Sequence, residues 1–559
     1  MNGALFITTV LFLLSGVLAI GTLVGCRSIR NTLRSRWGLI LLLLLVNLIL
    51  KLPWGEPPYH GLEYEDCFVH QAVARQLRYD INFLPIELAY REAVFSVGSI
   101  DNGVGHQTFY NTIGYPAAIR LLQCALGDGP LSGHLVSLFS STMSVVLVVL
   151  LASRISWNSA LPLIAGGAFT CMPIANSCAM TTSAEVFSSF YVALALLLAY
   201  VLVQEQRPGW GGAIPYIALI VTLMFSILIK RENLLLLLLL PIVFYFAAEV
   251  NLDSRWRRVT SSLRMSAIIA APTLLFVGLV AGVFSIYRAE ETAIQANAFS
   301  IHYLTLLGAI YLKALSQPNH YLIFGMSLVF LPIAMWRLRK IRPVSLVVLG
   351  YILMYASHWP GYYLLKGSDA SIWDATRHLA NIAPLLAIVS AGCLLSLLPA
   401  REFQFGSAWL TRAAVGITIL LTVIAGVLTF QLRSELTCDE QLTRIEPVMT
   451  TVKLLYDRHG EDFCIFTFEP CVFQIHTPRW TQMIDLATLD CAEEKSLEPI
   501  IESGRAYAMV KSFDLTEVNY ARFRAQAEWL SSHWGNEVCR TDNWFLVHLT
   551  AHQRGRMPE

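Results

Sequence analysis

Long apolar runs recur from the N-terminus of this chain to about residue 430, and they constrain its fold more than any other feature. A helix needs about 20 mostly apolar residues to cross the roughly 30 Å hydrocarbon core of a bilayer. Because hydrocarbon offers backbone polar groups no partner, such runs must form helices. The sequence predicts about twelve spans, at 5–24, 38–53, 134–152, 160–179, 186–203, 213–229, 233–249, 267–287, 320–336, 344–363, 379–398 and 411–430.

Composition supports the same class of protein. Hydrophobic residues make up 55% of the 559 residues and charged residues only 14%, which is far from a soluble average. Lysine plus arginine (40) nearly balances aspartate plus glutamate (39), so net charge gives no argument for nucleic acid. We predict a polytopic α-helical membrane protein with the lipid bilayer as its constant partner.

Basic clusters predict the orientation, because short cytoplasmic loops retain Lys and Arg. Alternating spans place four clusters on one side: Arg27, Arg30, Arg34 and Arg36; Arg255, Arg257, Arg258 and Arg264; Arg337, Arg339, Lys340 and Arg342; Arg401 and Arg412. The outer side then receives the loops 54–133 and 288–319, the segment 364–378 and everything after 431. We expect an inner (plasma) membrane protein with a periplasmic or other extracytoplasmic C-terminal region.

The loop 54–133 is too long for a simple connector, and long loops are usually functional. Its first part carries Glu65 and Asp66 just before a helical pattern. Its second part carries His106, Tyr110 and Tyr115 before another apolar run. Two structural explanations stay open, since acidic residues cap helix starts and aromatic residues form belts at membrane interfaces.

Charged residues interrupt the apolar sequence at 230–233, which reads Lys-Arg-Glu-Asn, and again at Asp374, Arg377 and His378. Both breaks fall on the predicted outer side, against the positive-inside trend. A cation near a span costs up to about 2.5–3.5 kcal/mol, so each one needs a partner. A lipid phosphate would serve, and a structural ion pair with a carboxylate or snorkelling to headgroups would serve as well.

The order of these motifs resembles the GT-C superfamily of membrane glycosyltransferases, which includes protein O-mannosyltransferases and the lipid A aminoarabinose transferase. The matching residues are Glu65-Asp66, Gly114-Tyr115-Pro116, Arg231-Glu232 and Arg377-His378. The chain departs from the superfamily pattern in two of them, since the acidic pair is reversed from Asp-Glu and His378 replaces a commoner tyrosine.

The resemblance implies an inverting glycosyltransferase, with a polyprenyl-phosphate-linked sugar donor and an extracytoplasmic glycan, lipid or protein as acceptor. In that reaction Asp66, or else Glu65, would act as the catalytic base. The resemblance also implies that the donor phosphate is bound by Lys230, Arg231 and Arg377. The substrate cavity would be lined by His106, Tyr110, Tyr115 and His378.

No cofactor is expected. His60, His70 or His106 could join carboxylates around a divalent metal, but the sequence has no HExxH or CxxC spacing. P-loop, GxGxxG and GxSxG motifs are also missing from the sequence, so it gives no sign of nucleotide use or serine hydrolysis.

After about residue 431 the sequence becomes polar. Apolar stretches at 463–468 and 506–510 predict buried strands, 518–533 predicts an amphipathic helix, and 537–549 predicts a hairpin. We predict two units, a transmembrane glycosyltransferase-like domain at 1–430 and a small soluble α/β domain at 431–559.

Two other functions remain open. In a transporter or flippase, Lys230, Arg231, Glu185 and Arg377 would line a substrate path. A non-catalytic protein of polysaccharide assembly would keep the fold without the base.

Overall fold

A computed structural model describes part of the chain in detail. The described residues are 3–51, 70–71, 74, 113–127, 131–155, 160–204, 210–247, 255–284, 301–357, 375–398, 416–418, 420–429, 431, 450–451, 453–455, 457, 464–467, 482–485, 506–511, 535–540 and 544–549. The catalytic candidates Glu65 and Asp66 and the cavity candidates His106 and Tyr110 lie outside these ranges.

The described residues up to 398 are almost entirely helical. The helices are α1 (Gly3–Gly25), α2 (Arg27–Lys51), α3 (Gly114–Leu126), α4 (Leu131–Ile155), α5 (Ala160–Thr170), α6 (Pro173–Ala179), α7 (Ala184–Gln204), α8 (Trp210–Ile229), α9 (Leu234–Ala247), α10 (Arg255–Phe284), α11 (Ile301–Ser316), α12 (Pro318–Tyr321), α13 (Leu331–Arg337), α14 (Arg342–Ala356) and α15 (Ala383–Ser396). Short 3₁₀ turns occur at Arg231–Asn233, Met326–Phe330 and Arg339–Ile341, and residues 375–380 are also helical.

The helices are long and apolar enough for a multi-pass membrane protein. By length and composition, six of the described helices could cross a membrane, and the bent pair α5–α6 would make a seventh. Helix α7 lies at the centre, because nearly all of its residues are buried, whereas α1, α2 and α10 expose many large apolar side chains. The full set of about twelve spans remains a prediction.

Two predicted spans are wrong as continuous helices. The span 160–179 consists of α5 and α6, which meet at an angle of 55°. Pro173 begins α6, and proline offers no backbone N–H to continue the preceding helix. The span 320–336 consists of α12, the turn at Met326–Phe330 and α13, with Pro318 and Pro332 each at the start of a helix.

Polar contacts connect the helix ends at one end of the bundle. Arg154 donates to Gln204 Oε1 at 3.3 Å and to Cys26 Sγ at 3.0 Å. Tyr200 Oη donates to the Lys340 carbonyl at 3.2 Å, and Arg337 donates to the carbonyls of Ser396 and Leu398. These are the ends that alternating spans place together with the basic clusters. Glu185 lies at the other end of α7, about 28 Å away at 1.5 Å per residue.

The C-terminal region contains a five-stranded sheet. Its strands are β1 (Cys464–Thr467), β2 (Gln482–Asp485), β3 (Ala506–Lys511), β4 (Gly535–Arg540) and β5 (Trp544–Leu549), in the order β2-β1-β3-β5-β4. Strand β1 pairs in parallel with β2 and β3, while β5 pairs antiparallel with β3 and β4. The predicted strands and terminal hairpin are confirmed. The predicted helix 518–533 lies outside the described residues.

Gly114 allows α3 to contact the backbone of α8. A Cβ atom on Gly114 would lie 2.8 Å from the Leu228 carbonyl and from the Ile229 nitrogen. Real Cβ atoms do not approach backbone atoms so closely, so only glycine fits here without movement. Since Lys230 follows Ile229 directly, this contact also fixes where the charged break begins.

We predict that Gly114→Ala destabilises the purified protein by about 1–3 kcal/mol, the usual cost of overpacking. A cysteine-reactivity or fluorescence melt in detergent would measure the change. Gly38→Ala is the matched control, because no atom lies within 4 Å of a Cβ placed on that helical glycine. A Gly114→Ala protein as stable as Gly38→Ala would contradict the close contact.

Candidate active site

Glu185 lies in the first turn of α7, and its carboxylate is the centre of a charged cluster. Ser183 Oγ donates to Oε2 at 3.1 Å, and Lys230 Nζ donates to Oε1 at 3.0 Å. Arg377 Nε lies 3.8 Å from the same Oε1. The start of a helix favours a negative charge, which suits a carboxylate at this position. The charged breaks at 230–233 and at 377 therefore meet on one carboxylate.

Lys230 lies in the connection between two predicted spans. Burial lowers the pKa of its ammonium group, but the carboxylates of Glu185 and Glu232 outweigh burial and the pKa is raised. Lys230 is therefore protonated at neutral pH. Its side chain is 13% exposed and that of Glu185 only 5%, so the pair lies in surroundings where charges interact strongly.

Asn233 closes the charged break and joins four parts of the bundle. Its Nδ2 donates to Ser188 Oγ on α7 at 2.7 Å and to the Ser226 carbonyl on α8 at 2.9 Å. Its Oδ1 accepts from Tyr351 Oη on α14 at 2.8 Å and from Asn381 Nδ2 at 3.4 Å. This fully buried side chain fixes the turn that carries Lys230 and Arg231.

Aromatic rings support the residue after Arg377. The ring of His378 stacks on Tyr355 at 5.3 Å with an interplanar angle of 17°, and Tyr355 stacks on Tyr311 at 6.2 Å and 15°. Tyr311 Oη lies 3.1 Å from His378 Nδ1. Arg377 is buried, whereas His378 remains partly exposed.

Thr376, the residue before Arg377, is held by contacts with the short helix α12. Tyr321 Oη donates to the Thr376 carbonyl at 2.7 Å, and Thr376 Oγ1 lies 3.2 Å from His320 Nδ1. The short helix α12 therefore contacts the backbone directly beside Arg377. These contacts fix the backbone position from which the guanidinium reaches Glu185.

Tyr115 is fully buried at the start of α3 and faces the same end of the bundle. Its hydroxyl donates to the Gly133 carbonyl at 3.2 Å and lies 2.7 Å from Ser137 Oγ. Ser137 Oγ accepts from the Ser183 backbone N–H at 3.0 Å, which connects Tyr115 to the turn before Glu185. The ring also meets His70 edge-on at 5.1 Å.

The structure therefore brings together some of the predicted site residues. Lys230 and Arg377 share Glu185, and Arg231 is half-buried in the turn next to Lys230. Tyr115 lies behind Ser183, and His378 follows Arg377. Glu65, Asp66, His106 and Tyr110 lie outside the described residues.

Sequence reasoning considered Glu185 only as part of a transport path and missed Asn233, Tyr311 and Tyr355. For Glu185 the sequence carries a signal, because it places a lone carboxylate between two apolar runs, and cations near spans need partners. Asn233 was visible as the last residue of the charged break. Nothing in the sequence pattern separates Tyr311 and Tyr355 from other interfacial tyrosines.

The arrangement is suited to holding anionic oxygens. A lysine carries three N–H donors and an arginine five, so a single carboxylate oxygen does not exhaust them. Glu185 pairs with Lys230 and Arg377, Asn233 fixes the turn beside Lys230, and Tyr321 fixes the backbone beside Arg377. Fixed cations in a dry site stabilise developing negative charge more strongly than cations in water.

No family model matches the chain, and no curated protein matches it. Solved structures do match. The structure of ArnT from Cupriavidus metallidurans bound to undecaprenyl phosphate has a TM-score of 0.56 at 13% identity, covering 94% of this chain and 100% of that one. The oligosaccharyltransferase of Archaeoglobus fulgidus tethered to an acceptor peptide has a TM-score of 0.52 at 11% identity, covering 92% and 74%.

A further structure is that of AglB, an oligosaccharyltransferase of Archaeoglobus fulgidus, in complex with an inhibitory peptide and a dolichol-phosphate. It has a TM-score of 0.50 at 12% identity and covers 90% of this chain and 73% of that one. ArnT and AglB are both members of the GT-C superfamily. The chain therefore has the fold of the GT-C membrane glycosyltransferases, as the sequence resemblance predicted. The similarity to ArnT extends over the whole of the ArnT chain.

We predict that Asn233→Leu destabilises the protein substantially, because it removes several hydrogen bonds while nearly preserving side-chain volume. Each buried group left without its partner costs about 1–3 kcal/mol. Thermal unfolding in detergent would measure the loss. Tyr351→Phe removes one of these hydrogen bonds and should lower the melting temperature less. Equal melting temperatures for both variants and the wild type would exclude a stabilising role for Asn233.

Proposed function

We propose that this protein is an inverting glycosyltransferase that moves a sugar from a polyprenyl-phosphate-linked donor to an extracytoplasmic glycan, lipid or protein. The proposal rests on one observation: Lys230 and Arg377 both pair with the carboxylate of Glu185, at the end of the bundle opposite the basic clusters. The GT-C fold supports it, since fold neighbours were solved with undecaprenyl phosphate and with a dolichol-phosphate bound.

The proposed architecture has about twelve spans in residues 1–430 and an extracytoplasmic α/β domain in residues 431–559. The cluster around Glu185 then faces the periplasm or its equivalent. The positive-inside rule supports this orientation, because the basic clusters fall at the opposite end. The isoprenoid tail of the donor stays in lipid while its phosphate meets protein cations near the membrane surface.

Lys230, Arg231 and Arg377 bind the donor phosphate in this proposal. Lys230 supplies a compact ammonium group and Arg377 a planar guanidinium that matches two phosphate oxygens. Glu185 pairs with Lys230 and Arg377 and holds both groups in place, so little side-chain entropy is lost when the donor binds.

Asp66, or else Glu65, is the proposed base. The acceptor hydroxyl attacks the anomeric carbon as the bond from that carbon to the phosphate oxygen breaks. The carboxylate takes the proton of the hydroxyl, and the bonding electrons leave with the phosphate, whose added charge meets the cations. A single displacement of this kind inverts the anomeric centre. The substrate cavity is assigned to His106, Tyr110, Tyr115 and His378.

We predict that Asp66→Asn lowers sugar transfer by about 10²–10⁴-fold, the usual contribution of a general base. The readout is mass spectrometry of surface glycoconjugates, in a deletion strain complemented with each variant at matched protein level. Glu63→Gln is the control, because it removes a carboxylate of the same loop that has no assigned role. Full activity in both Asp66→Asn and Glu65→Gln would eliminate the base assignment.

We predict that Lys230→Gln and Arg377→Gln each weaken donor use by about tenfold or more, since a hydrogen bond to a charged group contributes about 1.5–3 kcal/mol. The effect should fall on KM for the donor in proteoliposomes. Arg339→Gln, at the opposite end of the bundle, is the matched control. Lipid movement across the bilayer without sugar transfer would instead favour a flippase.

A further inference from the structure

The five-stranded sheet of the C-terminal region has a point where its strand order reverses. Strand β1 lies between β2 and β3 and is parallel to both. Strand β4 is parallel to β3 as well, because each of them is antiparallel to β5. The strand order thus runs from β1 to one side, to β2, and then to the other side, to β3 and β4. This reversal, between β1 and β3, is the switch point of the sheet.

The switch point has a general consequence for binding. In open sheets of parallel strands, ligands bind outside the carboxyl ends of the strands at such a point. Burial on β5 supports the same location. Leu546 and Val547 are neighbours on this strand and therefore belong to opposite faces of the sheet, and both are fully buried. Since both faces are covered here, the strand ends are where a ligand can reach the sheet.

The register places polar and aromatic residues at the carboxyl ends of β1 and β3. Thr467 and Asp485 are the last residues of β1 and β2, and they are partners. Lys511 is the last residue of β3, and its partner is Trp544, the first residue of β5. Thr467 also pairs with Met509, two residues before Lys511. Because residues i and i+2 of a strand share a face, these residues all belong to one face of the sheet.

The strand ends form a step beside the switch point. Among the described residues, β3 pairs with β5 as far as Lys511 and with β1 as far as Met509. The β3–β5 pair therefore extends beyond the end of β1 by about 7 Å. From β2 to β5 the row is about 14 Å wide, since neighbouring strands lie about 4.8 Å apart. A short linear ligand can lie along this row.

The chemistry of the row fits a carbohydrate. Asp485 supplies a carboxylate, Thr467 a hydroxyl and Lys511 an ammonium group, so the row offers both acceptors and donors of hydrogen bonds. Sugar hydroxyls need both. Trp544 adds an indole ring, which presents a large apolar surface to the apolar face of a sugar ring. A polyanion such as a nucleotide fits less well, because the carboxylate of Asp485 opposes it.

We infer that the carboxyl ends of β1 and β3, with the row Asp485, Thr467, Lys511 and Trp544, form a carbohydrate-binding site. Under the proposed function, on which this step rests, the bound carbohydrate is the acceptor. The acceptor class is then a glycan rather than a lipid or a protein. None of the four residues belongs to the proposed donor site or to the proposed base, so the sheet binds the acceptor without taking part in the chemistry.

The test uses the polysaccharide released from the cell envelope of a strain that lacks this gene. Under the proposed function, this material is the acceptor without its added sugar. Its dissociation constant is measured on the full-length protein in nanodiscs. Trp544→Ala and Asp485→Asn should each weaken binding by about tenfold or more, because the first loses a ring contact and the second a charged hydrogen-bond acceptor. Trp544→Phe keeps a ring and should keep most of the affinity.

Two matched controls leave the row unchanged. Trp256→Ala removes an exposed tryptophan from the first turn of α10, and Asp457→Asn removes an exposed carboxylate outside the sheet. Both should bind the polysaccharide as the wild type does. Thermal melts of every variant separate lost binding from lost folding. Asp485→Asn nearly preserves side-chain shape, so it decides the matter if Trp544→Ala fails to fold.

The role of the bound glycan as acceptor has its own readout. In proteoliposomes, Trp544→Ala should raise KM for the polysaccharide by about tenfold and leave kcat near the wild-type value, because the row binds without taking part in the chemistry. An unchanged KM alongside weakened binding would overturn the identification of the glycan as acceptor.

A wild type that does not bind the polysaccharide, or binding that is unchanged in both Trp544→Ala and Asp485→Asn, would overturn the inference and leave sugar transfer untouched. Failure of the proposed function gives a different result, since the envelope of the deletion strain then lacks no sugar. In that case, binding that depends on Trp544 and Asp485 still establishes the carbohydrate site and overturns only its assignment to the acceptor.

Discussion

The pairing of two cations with one carboxylate at the end of a helix bundle is the constraint on which the rest of this structure depends. Charges near hydrocarbon must find partners, and Glu185 provides one for Lys230 and Arg377, which lie far apart in sequence. Three requirements follow: α7 must run through the centre, the chain must break between α8 and α9, and residues 375–380 must approach the start of α7. Asn233 and Tyr321 then fix the two cation-bearing segments from the other side.

The sequence predicted what depends on local pattern. Apolar length gives the helices near 5–24, 134–152, 186–203 and 213–229, and these predictions are confirmed because a long apolar run in hydrocarbon has no alternative to a helix. The strands at 464–467 and 506–511 follow from short β-branched and aromatic runs in a polar context. The arginine clusters also marked which helix ends would lie together.

The rest depends on contacts that no local pattern carries. The only local sign of the break between α5 and α6 is Pro173, and a proline is compatible with either a kinked helix or the start of a new one. The partner of Lys230 is 45 residues away, and the bond from Tyr351 to Asn233 spans 118 residues. The Gly-Tyr-Pro turn shows the same limit. The sequence shows the motif, but the fit of Gly114 against α8 and the contact of Tyr115 with Ser137 depend on other segments of the chain.

A structural ion pair and a phosphate site are often treated as alternatives, but the geometry around Glu185 makes them compatible. The carboxylate lies 3.0 Å from Lys230 Nζ and 3.8 Å from Arg377 Nε, and a lysine carries three N–H donors and an arginine five. Without that carboxylate, two buried cations would repel each other and move apart towards solvent. With it, their positions are set in advance, which is the condition for stabilising charge on a departing phosphate without reorganisation. The ion pair is therefore what allows buried cations to persist where a phosphate could use them.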